Sequence, residues 1–159
     1  MGKKLTIYIP DELYGELPKL KEGKAGGKSK KIYSEIPNIE CKHCHKCCGP
    51  IVWFEPEEIM IKEYLEKNNL KRVLWTTEEF KQNNMMCPYL SNDKCIIYPV
   101  RPIVCRLQGN IIELQCKSSV KVNLLSKSEL DGIRKKFIEL IKQSNGLNSI
   151  YSTHLITNR

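Results

Sequence analysis

Residues 41–48 read Cys41-Lys-His-Cys44-His-Lys-Cys47-Cys48, and this stretch decides how the rest of the chain is interpreted. Three thiols recur at a strict three-residue spacing, and a fourth follows the third directly. A C-x-x-C-x-x-C run followed by a remote cysteine is how a chain wraps three corners of a cubic iron–sulfur cluster. The first C-x-x-C pair would serve a tetrahedral zinc site equally well. The spacing therefore predicts a metal centre and leaves the metal open.

The adjacent thiols of Cys47 and Cys48 are expected to have different roles, because neighbouring side chains usually project in divergent directions. One of them would complete a tripod with the first two thiols of the run. The other would face a second metal, a bridging position or the protein core. His43 and His45 could replace one thiolate at zinc, but with eight thiols available we expect them to lie outside the ligand set or to be exposed.

The second half of the chain supplies four more cysteines, and prolines stand close to them. Prolines at positions 88, 99 and 102 fix φ and are costly inside helices or central strands. We therefore expect Cys87, Cys95 and Cys105 to lie in rigid loops, which suit metal ligands because their geometry is held before the metal binds. The candidate metal ligands are all eight cysteines: Cys41, Cys44, Cys47, Cys48, Cys87, Cys95, Cys105 and Cys116.

The composition favours metal binding over structural disulfides. A chain of 159 residues with 41% hydrophobic and 28% charged side chains can form one globular core without covalent cross-links. Residues 1–10, MGKKLTIYIP, carry no apolar export signal, which predicts a cytoplasmic protein. In that reducing compartment clustered thiols are more often metal ligands or redox centres than disulfides. No run reaches the roughly 18 apolar residues of a membrane span.

The net charge of +8 is spread evenly along the chain, so nucleic-acid binding is permitted but not indicated. Only residues 24–31, KAGGKSKK, are dense in positive charge, and their composition is typical of a flexible linker. A metal centre held by four thiolates is negatively charged, and cations next to the cysteines in sequence would stabilise it. These cations are Lys42, Lys46, Lys94, Arg106 and Lys117.

Helix signals flank the cysteines. A helix is predicted over about 56–68, where Pro56 suits the first helical position. Capping boxes at 76–79 and 126–129 predict a short helix ending near residue 83 and a longer helix over 127–144 that ends at Asn145-Gly146. The longer helix carries an apolar stripe of the kind that packs in a core. The stripe consists of Leu130, Ile133, Phe137, Leu140 and Ile141.

The region between Cys105 and Leu125 alternates like strands, with Gly109-Asn110 as a hairpin turn. Together these elements predict the α+β class, as one small domain of short helices and a β-hairpin packed around metal-binding cysteine loops. We expect an N-terminal arm and flexible basic linker over 1–31. A cysteine-cluster metal-binding domain would follow over 32–125, and a C-terminal helix with a tail over 126–159.

Three ordered motifs resemble the YkgJ-type cysteine-cluster family. They are C-x-x-C-x-x-C-C from Cys41, Cys-Pro-x-Leu from Cys87, and Cys-x-Ile-Tyr-x-x-Arg-Pro-x-x-Cys-Arg from Cys95, and they cover about the middle half of the chain. The resemblance implies binding of zinc or of an iron–sulfur cluster, without one fixed activity. Some relatives join this domain to protein-modifying enzymes such as flagellin lysine methylases. The sequence shows no glycine-rich loop for a nucleotide or a methyl donor.

The leading hypothesis is a cytoplasmic metalloprotein that holds one [4Fe-4S] cluster and acts as a redox or accessory partner of another protein. Its ligands would be Cys41, Cys44 and either Cys47 or Cys48, and one further cysteine would close the site, from the set Cys87, Cys95 and Cys105. The alternative is a structural zinc-binding interaction module, because eight thiols divide into two four-cysteine sites. A thiol enzyme using Cys47-Cys48 or the two arginines of the third motif is a further possibility, but no nucleophile, base and oxyanion set is recognisable. The oligomeric state stays open.

Overall fold

The structure is a computed structural model that describes residues 24–73, 75–116, 118, 123–143 and 150–152. In these residues it confirms the expected small α+β domain. The helices are α1 (Lys24–Ser34), α2 (Glu55–Lys67), α3 (Thr77–Gln82), α4 (Ile103–Leu107) and α5 (Lys127–Gln143). The strands are β1 (Val52–Phe54), β2 (Leu90–Ser91), β3 (Lys94–Cys95) and β4 (Ile150–Ser152). Tyr98–Val100 and Ile112–Leu114 form single 3-10 turns.

Helices α2, α3 and α5 lie where the sequence predicts them. At α3, the Thr76 hydroxyl accepts a hydrogen bond from the Glu79 N–H at 3.2 Å, so the capping box is formed. The box at the start of α5 is formed in the same way, since the Ser126 hydroxyl accepts from the Glu129 N–H at 3.3 Å. The predicted apolar stripe of α5 is buried. The predicted end of that helix at residues 145–146 lies outside the described residues.

Helix α1 shows that the prediction of a flexible linker over 24–31 is wrong, and the predicted domain boundary at 31 falls inside this helix. Ile32 and Tyr33 are buried on α1, and Ile36 is buried just after the helix ends. A Cβ at Gly26 would lie 3.6 Å from the Glu63 carboxylate and 3.8 Å from the Met60 side chain, so α1 packs against α2 at this position. Burial of this face therefore outweighs the weak helix propensity of glycine. Residues 1–23 of the predicted arm lie outside the described residues.

The β-hairpin is β2–β3, in which Leu90 pairs antiparallel with Cys95. The prediction of a hairpin turn at Gly109-Asn110 is wrong, because the described part of that region forms α4 and a 3-10 turn. The buried side chain of Asn110 donates to the Arg106 carbonyl at 2.8 Å and to the Pro37 carbonyl at 2.9 Å. It thus satisfies a free carbonyl in the last turn of α4. Residues 119–122 of the predicted strand lie outside the described residues.

Two apolar clusters support the cysteine-bearing segments. One surrounds Trp53 and Tyr89 and includes the buried Cys87, with Cys48 and Cys95 packed against it. The other joins α1 to α5. Strand β1 also pairs antiparallel with β4, with Trp53 opposite residue 151. No helix in the described part of the chain is long and apolar enough to cross a bilayer.

Candidate metal centre

All eight cysteines line one cavity of about 100 Å³. All of them are free thiols. Among the residues that line the cavity, Asp93 is the one carboxylate, and the rest of the wall is largely apolar. Thiolates are the soft ligands that zinc and iron–sulfur clusters prefer, so the donor set fits either group.

The thiols surround this cavity without forming a finished single-ion site. Among the described residues, no group of three or more Cys, His, Asp or Glu side chains is placed to hold a metal ion. The assignment of individual cysteines as ligands therefore stays a prediction. The structure shows that cysteines from residue 41 to residue 116 share one cavity.

One wall of the cavity is residues 41–48, which we call the outer loop. His43 and His45 have φ values of 53° and 58°. Such left-handed backbone is uncommon for residues other than glycine, and it reverses the chain between successive thiols. The His43 N–H points at the Cys41 Sγ across 3.4 Å. This amide-to-sulfur contact is the arrangement expected of a cysteine run that holds a metal.

The adjacent thiols of the outer loop differ in their surroundings, as their adjacency predicts. Cys47 is exposed, whereas Cys48 packs against the apolar cluster around Trp53. The Cys48 thiol donates a hydrogen bond to the Cys47 sulfur, which lowers the pKa of Cys47 to about 6. The same bond raises the pKa of Cys48 far above its usual range. At neutral pH the pair therefore presents one thiolate and one thiol.

Cys44 lies on the solvent side of the outer loop. A hydrogen bond from the Ser118 hydroxyl lowers the pKa of Cys44, and a backbone N–H adds to the effect. Cys44 also lines a second cavity of about 240 Å³, together with Cys47 and Cys116. Two of the outer-loop thiols are thus tuned toward the thiolate form.

The opposite wall is residues 87–105, which we call the inner block. Burial raises the pKa of Cys87 to about 11 and also raises the pKa values of Cys95 and Cys105. The Cys87 N–H donates to the Cys48 carbonyl at 3.1 Å and so joins the two walls. The inner-block thiols are protonated at neutral pH in the absence of a metal.

The inner block is more regular than the predicted rigid loops. Cys87 does lie in a loop, but Cys95 is in strand β3 and Cys105 is in helix α4, so the prediction is wrong for these two. The prolines are compatible with helix because Pro102 directly precedes α4 and Pro99 lies at the start of a 3-10 turn. At those positions the missing N–H would have no helical partner.

The hairpin turn of the inner block contacts the outer loop. Asn92 and Asp93 have φ values of 49° and 61°, as a two-residue type I′ turn requires. The Asp93 carbonyl lies 2.9 Å from His43 Nδ1. The Asp93 carboxylate lies 3.2 Å from His45 Nε2. The two histidines, predicted to lie outside the ligand set, therefore link the two walls.

Arg101 is the buried cation of the cavity, and the sequence analysis did not single it out for this role. Its guanidinium stacks 3.7 Å from the centre of the Tyr98 ring and donates to the Tyr98 carbonyl at 3.0 Å. Burial raises the pKa of Cys95, and the nearby Arg101 charge opposes that rise. Of the cations that the sequence suggested, Lys42 pairs with Glu40 at 2.7 Å. The feature of the sequence that could have identified Arg101 is the Arg101-Pro102 pair of the third motif.

Glu57 anchors the inner block through hydrogen bonds, a role that was not expected from the sequence. Its carboxylate is 1% exposed. One oxygen accepts hydrogen bonds from the Tyr33 hydroxyl and from the Ile103 N–H, both at 2.6 Å. The other accepts from the Phe54 N–H at 3.0 Å. Burial raises the pKa of Glu57 while these bonds oppose the rise. The side chain joins α1 and β1 to the start of α4, close to Cys105.

Gly109 allows Cys116 to reach the cavity. Its φ is +81°, and a Cβ there would lie 2.5 Å from Ile39 Cδ1 and 3.3 Å from Cys116 Cβ. Both the backbone angle and the space therefore require glycine. Gly109, which the sequence predicted as a hairpin residue, instead lets Cys116 lie close to the segment that leads into the outer loop.

A family model matches the part of the chain that forms this cavity. The model is CxxCxxCC, "Putative zinc- or iron-chelating domain", and it matches residues 40–130, more than half of the chain. The matched segment contains all eight cysteines, and it confirms the resemblance seen in the three motifs. No curated protein and no solved structure matches the chain significantly.

Proposed function

Since the chain belongs to the CxxCxxCC family and is a metal-binding protein, we propose that it holds one [4Fe-4S] cluster and serves another protein as a redox or accessory partner. The ligands would be Cys41, Cys44 and one of the pair Cys47 and Cys48, with a fourth thiolate from the inner block. Such a cluster supplies one-electron transfer.

The observation that carries this proposal is the shared cavity. The outer loop contributes thiols at the spacing that suits three corners of a cluster, and the inner block contributes remote thiols on the opposite wall. A cluster with four thiolate ligands is negatively charged, and the buried Arg101 faces the same cavity. The apolar wall, which includes Ile51 and Ile97, limits access of water to the cavity. Hydrogen bonds to sulfur and limited solvent exposure are the means by which proteins tune cluster potentials.

The role as a redox or accessory partner is supported by the position of Cys47. This thiol is exposed, so one side of the proposed centre lies at the protein surface. A partner protein could approach there without unfolding the inner block. A cytoplasmic location suits the proposal because that compartment keeps thiols reduced.

Metal and sulfide analysis of anaerobically purified protein tests the proposal. We expect brown protein with broad visible absorption, about four iron and about four acid-labile sulfide per chain. The Cys95→Ser variant removes a thiol of the inner block. Ser91→Ala in the same hairpin is the matched control, and it shows whether any loss of metal comes from general damage to the hairpin. Colourless protein that contains zinc but no sulfide after anaerobic reconstitution would overturn the cluster.

The second candidate is a structural zinc module, which the second cavity favours. Cys44, Cys47 and Cys116 line that cavity as well as the first, so the eight thiols could be divided between two sites. About two zinc per chain, no sulfide, and unfolding by chelators would support this candidate. The same metal analysis therefore distinguishes the two functions.

A further inference from the structure

A large cleft lies away from the cysteines, between helices α1 and α2. It measures about 650 Å³, within the roughly 300–1,000 Å³ typical of small-molecule sites. Its wall includes Lys30, Tyr33, Met60, Tyr64, Lys67 and Arg106, and we call it the α1–α2 cleft. No cysteine lines it. The cleft is therefore a candidate site separate from the metal centre.

The charge of this cleft is positive. Lys30, Lys67 and Arg106 face Glu63 as the single acidic residue among the lining residues. None of the three cations forms an ion pair with a described residue. Cations gathered around a concave surface raise the local concentration of anions. The charge pattern therefore selects an anionic ligand.

Arg106 gives the cleft a buried charge. Its side chain is 9% exposed, and its Nε donates to the Arg101 carbonyl at 3.1 Å. A second N–H donates to the Pro99 carbonyl. The guanidinium lies 4.2 Å from the centre of the Tyr33 ring. These hydrogen-bond partners are neutral, and the buried Glu57 carboxylate attracts the guanidinium electrostatically. Within the cleft wall itself, Arg106 adds to the positive charge of the two lysines.

The apolar residues of the cleft wall indicate the chemistry of the uncharged part of the ligand. Two tyrosine rings, Tyr33 and Tyr64, line the cleft, together with Met60 and Val100. Tyr33 and Met60 are 4% and 3% exposed and close the floor of the cleft, so the half-buried Tyr64 ring is the aromatic surface that a ligand can contact. Apolar walls with a few converging polar groups are the usual composition of ligand sites.

We propose that the α1–α2 cleft binds a small aromatic carboxylate, with its ring against the Tyr64 side chain and its carboxylate toward the cations. The site is independent of which metal the cysteines bind. It nevertheless shares a wall with the metal centre, because Tyr98 and Arg101 line the metal cavity while Pro99 and Arg106 line the cleft.

Calorimetric titration with 2-naphthoate tests this site in the full-length, metal-loaded protein. We expect saturable 1:1 binding. The cation 2-naphthylmethylamine, which has the same ring system, should bind at least about tenfold more weakly because its charge is repelled. This comparison uses the unaltered protein and so does not depend on the folding of any variant.

Charge-reversal variants locate the binding. The double variant Lys30→Glu/Lys67→Glu changes two exposed residues of the cleft and should weaken 2-naphthoate binding at least about tenfold. The matched control Lys135→Glu reverses an exposed lysine on α5, outside the cleft, and should bind as the original protein does. Metal content should be unchanged in all variants, which separates failure of this site from failure of the metal centre.

The proposal would be overturned by absence of 2-naphthoate binding at millimolar concentration, by equal binding of the amine, or by equal binding by the double variant. Inorganic phosphate that displaces 2-naphthoate at equal concentration would also overturn it, because the ring would then contribute nothing. Binding of an acidic peptide in place of 2-naphthoate would assign the cleft to a protein partner instead.

Discussion

The outer loop and the inner block face the same cavity but are built in opposite ways. The outer loop is partly exposed, uses left-handed backbone at His43 and His45, and is held by hydrogen bonds within the loop and to the hairpin turn at Asp93. The inner block is framed by a hairpin, a 3-10 turn and a short helix, and it rests on the apolar cluster around Trp53. One wall is shaped by backbone conformation and the other by burial.

This difference extends to the protonation of the thiols. Hydrogen bonds lower the pKa values of Cys44 and Cys47, whereas burial raises those of Cys87, Cys95 and Cys105. The outer loop therefore offers thiolates to an incoming metal at neutral pH. The inner block releases its protons only when a metal replaces them, because metal ligands must be deprotonated.

The largest expected effect concerns Glu57, which supports the inner block. Glu57→Ala leaves the Tyr33 hydroxyl and two backbone N–H groups without their acceptor in the core. We expect the free energy of unfolding to fall by about 3–5 kcal/mol in urea titrations followed by circular dichroism. The control is Glu66→Ala on the same helix, where an exposed pair with Lys62 at 4.0 Å is lost and the expected cost is about 0.5 kcal/mol or less. Equal losses would show that Glu57 is not an anchor.

Thiol reactivity compares the two walls directly. In metal-free, reduced protein at pH 7, a pKa of about 6 leaves most of Cys47 ionised, whereas a pKa of about 11 leaves Cys87 almost entirely protonated. We expect iodoacetamide to modify Cys47 at least about a hundredfold faster than Cys87, as measured by peptide mass spectrometry.

The pH dependence of the same reaction gives the internal control. A rise from pH 7 to pH 9 should accelerate Cys87, because its thiolate fraction is still increasing, and should leave Cys47 nearly unchanged. Similar rates for the two thiols at pH 7, or a strong acceleration of Cys47, would remove the contrast between the walls.

A smaller effect is expected at Gly109, which brings Cys116 to the cavity. Gly109→Ala places a Cβ in space held by Ile39 and imposes a positive φ on alanine, so we expect a loss of about 1–3 kcal/mol. Thermal unfolding measures this loss of stability. The control is Gly132→Ala in α5, where a Cβ meets nothing within 4 Å and helix propensity should raise stability by about 0.5–1 kcal/mol. A stabilising Gly109→Ala would contradict the assigned close approach.

The smallest effect is expected at the link between the walls. Asp93→Asn keeps a residue that tolerates left-handed backbone and removes only the charge beside His45. Because the carboxylate is exposed, we expect stability to change by about 1 kcal/mol or less. Thermal unfolding of Asp93→Asn is compared with that of Asp131→Asn, an exposed control on α5, to measure this change. A much larger loss would mean that this contact, and not burial of the inner block, holds the walls together.

Local signals in the sequence were enough to place three helices. Pro56 and the capping residues Thr76 and Ser126 act on neighbours within one turn, so their effect does not depend on the rest of the fold. The cysteine spacing likewise identified every thiol that lines the cavity, because chemistry and not conformation marks these residues.

The remaining elements depend on distant partners. Helix α1 contains two glycines and is held by burial against α2, and Asn110 is directed away from a hairpin by the Pro37 carbonyl. Strand β1 pairs with residues about a hundred positions later in the chain. Arg101 becomes the cavity cation only because the 3-10 turn folds it inward. Such contacts have no short-range pattern from which they could be predicted.

The central claim is that thiols from both walls hold one metal centre, and thiol protection tests it most directly. Metal-loaded protein, purified without oxygen, would be alkylated, digested and compared with chelator-treated protein by mass spectrometry. We predict that the native metal protects at least about four cysteines, with members from both residues 41–48 and residues 87–105. Protection confined to one of these segments, or no protection at all, would contradict the account.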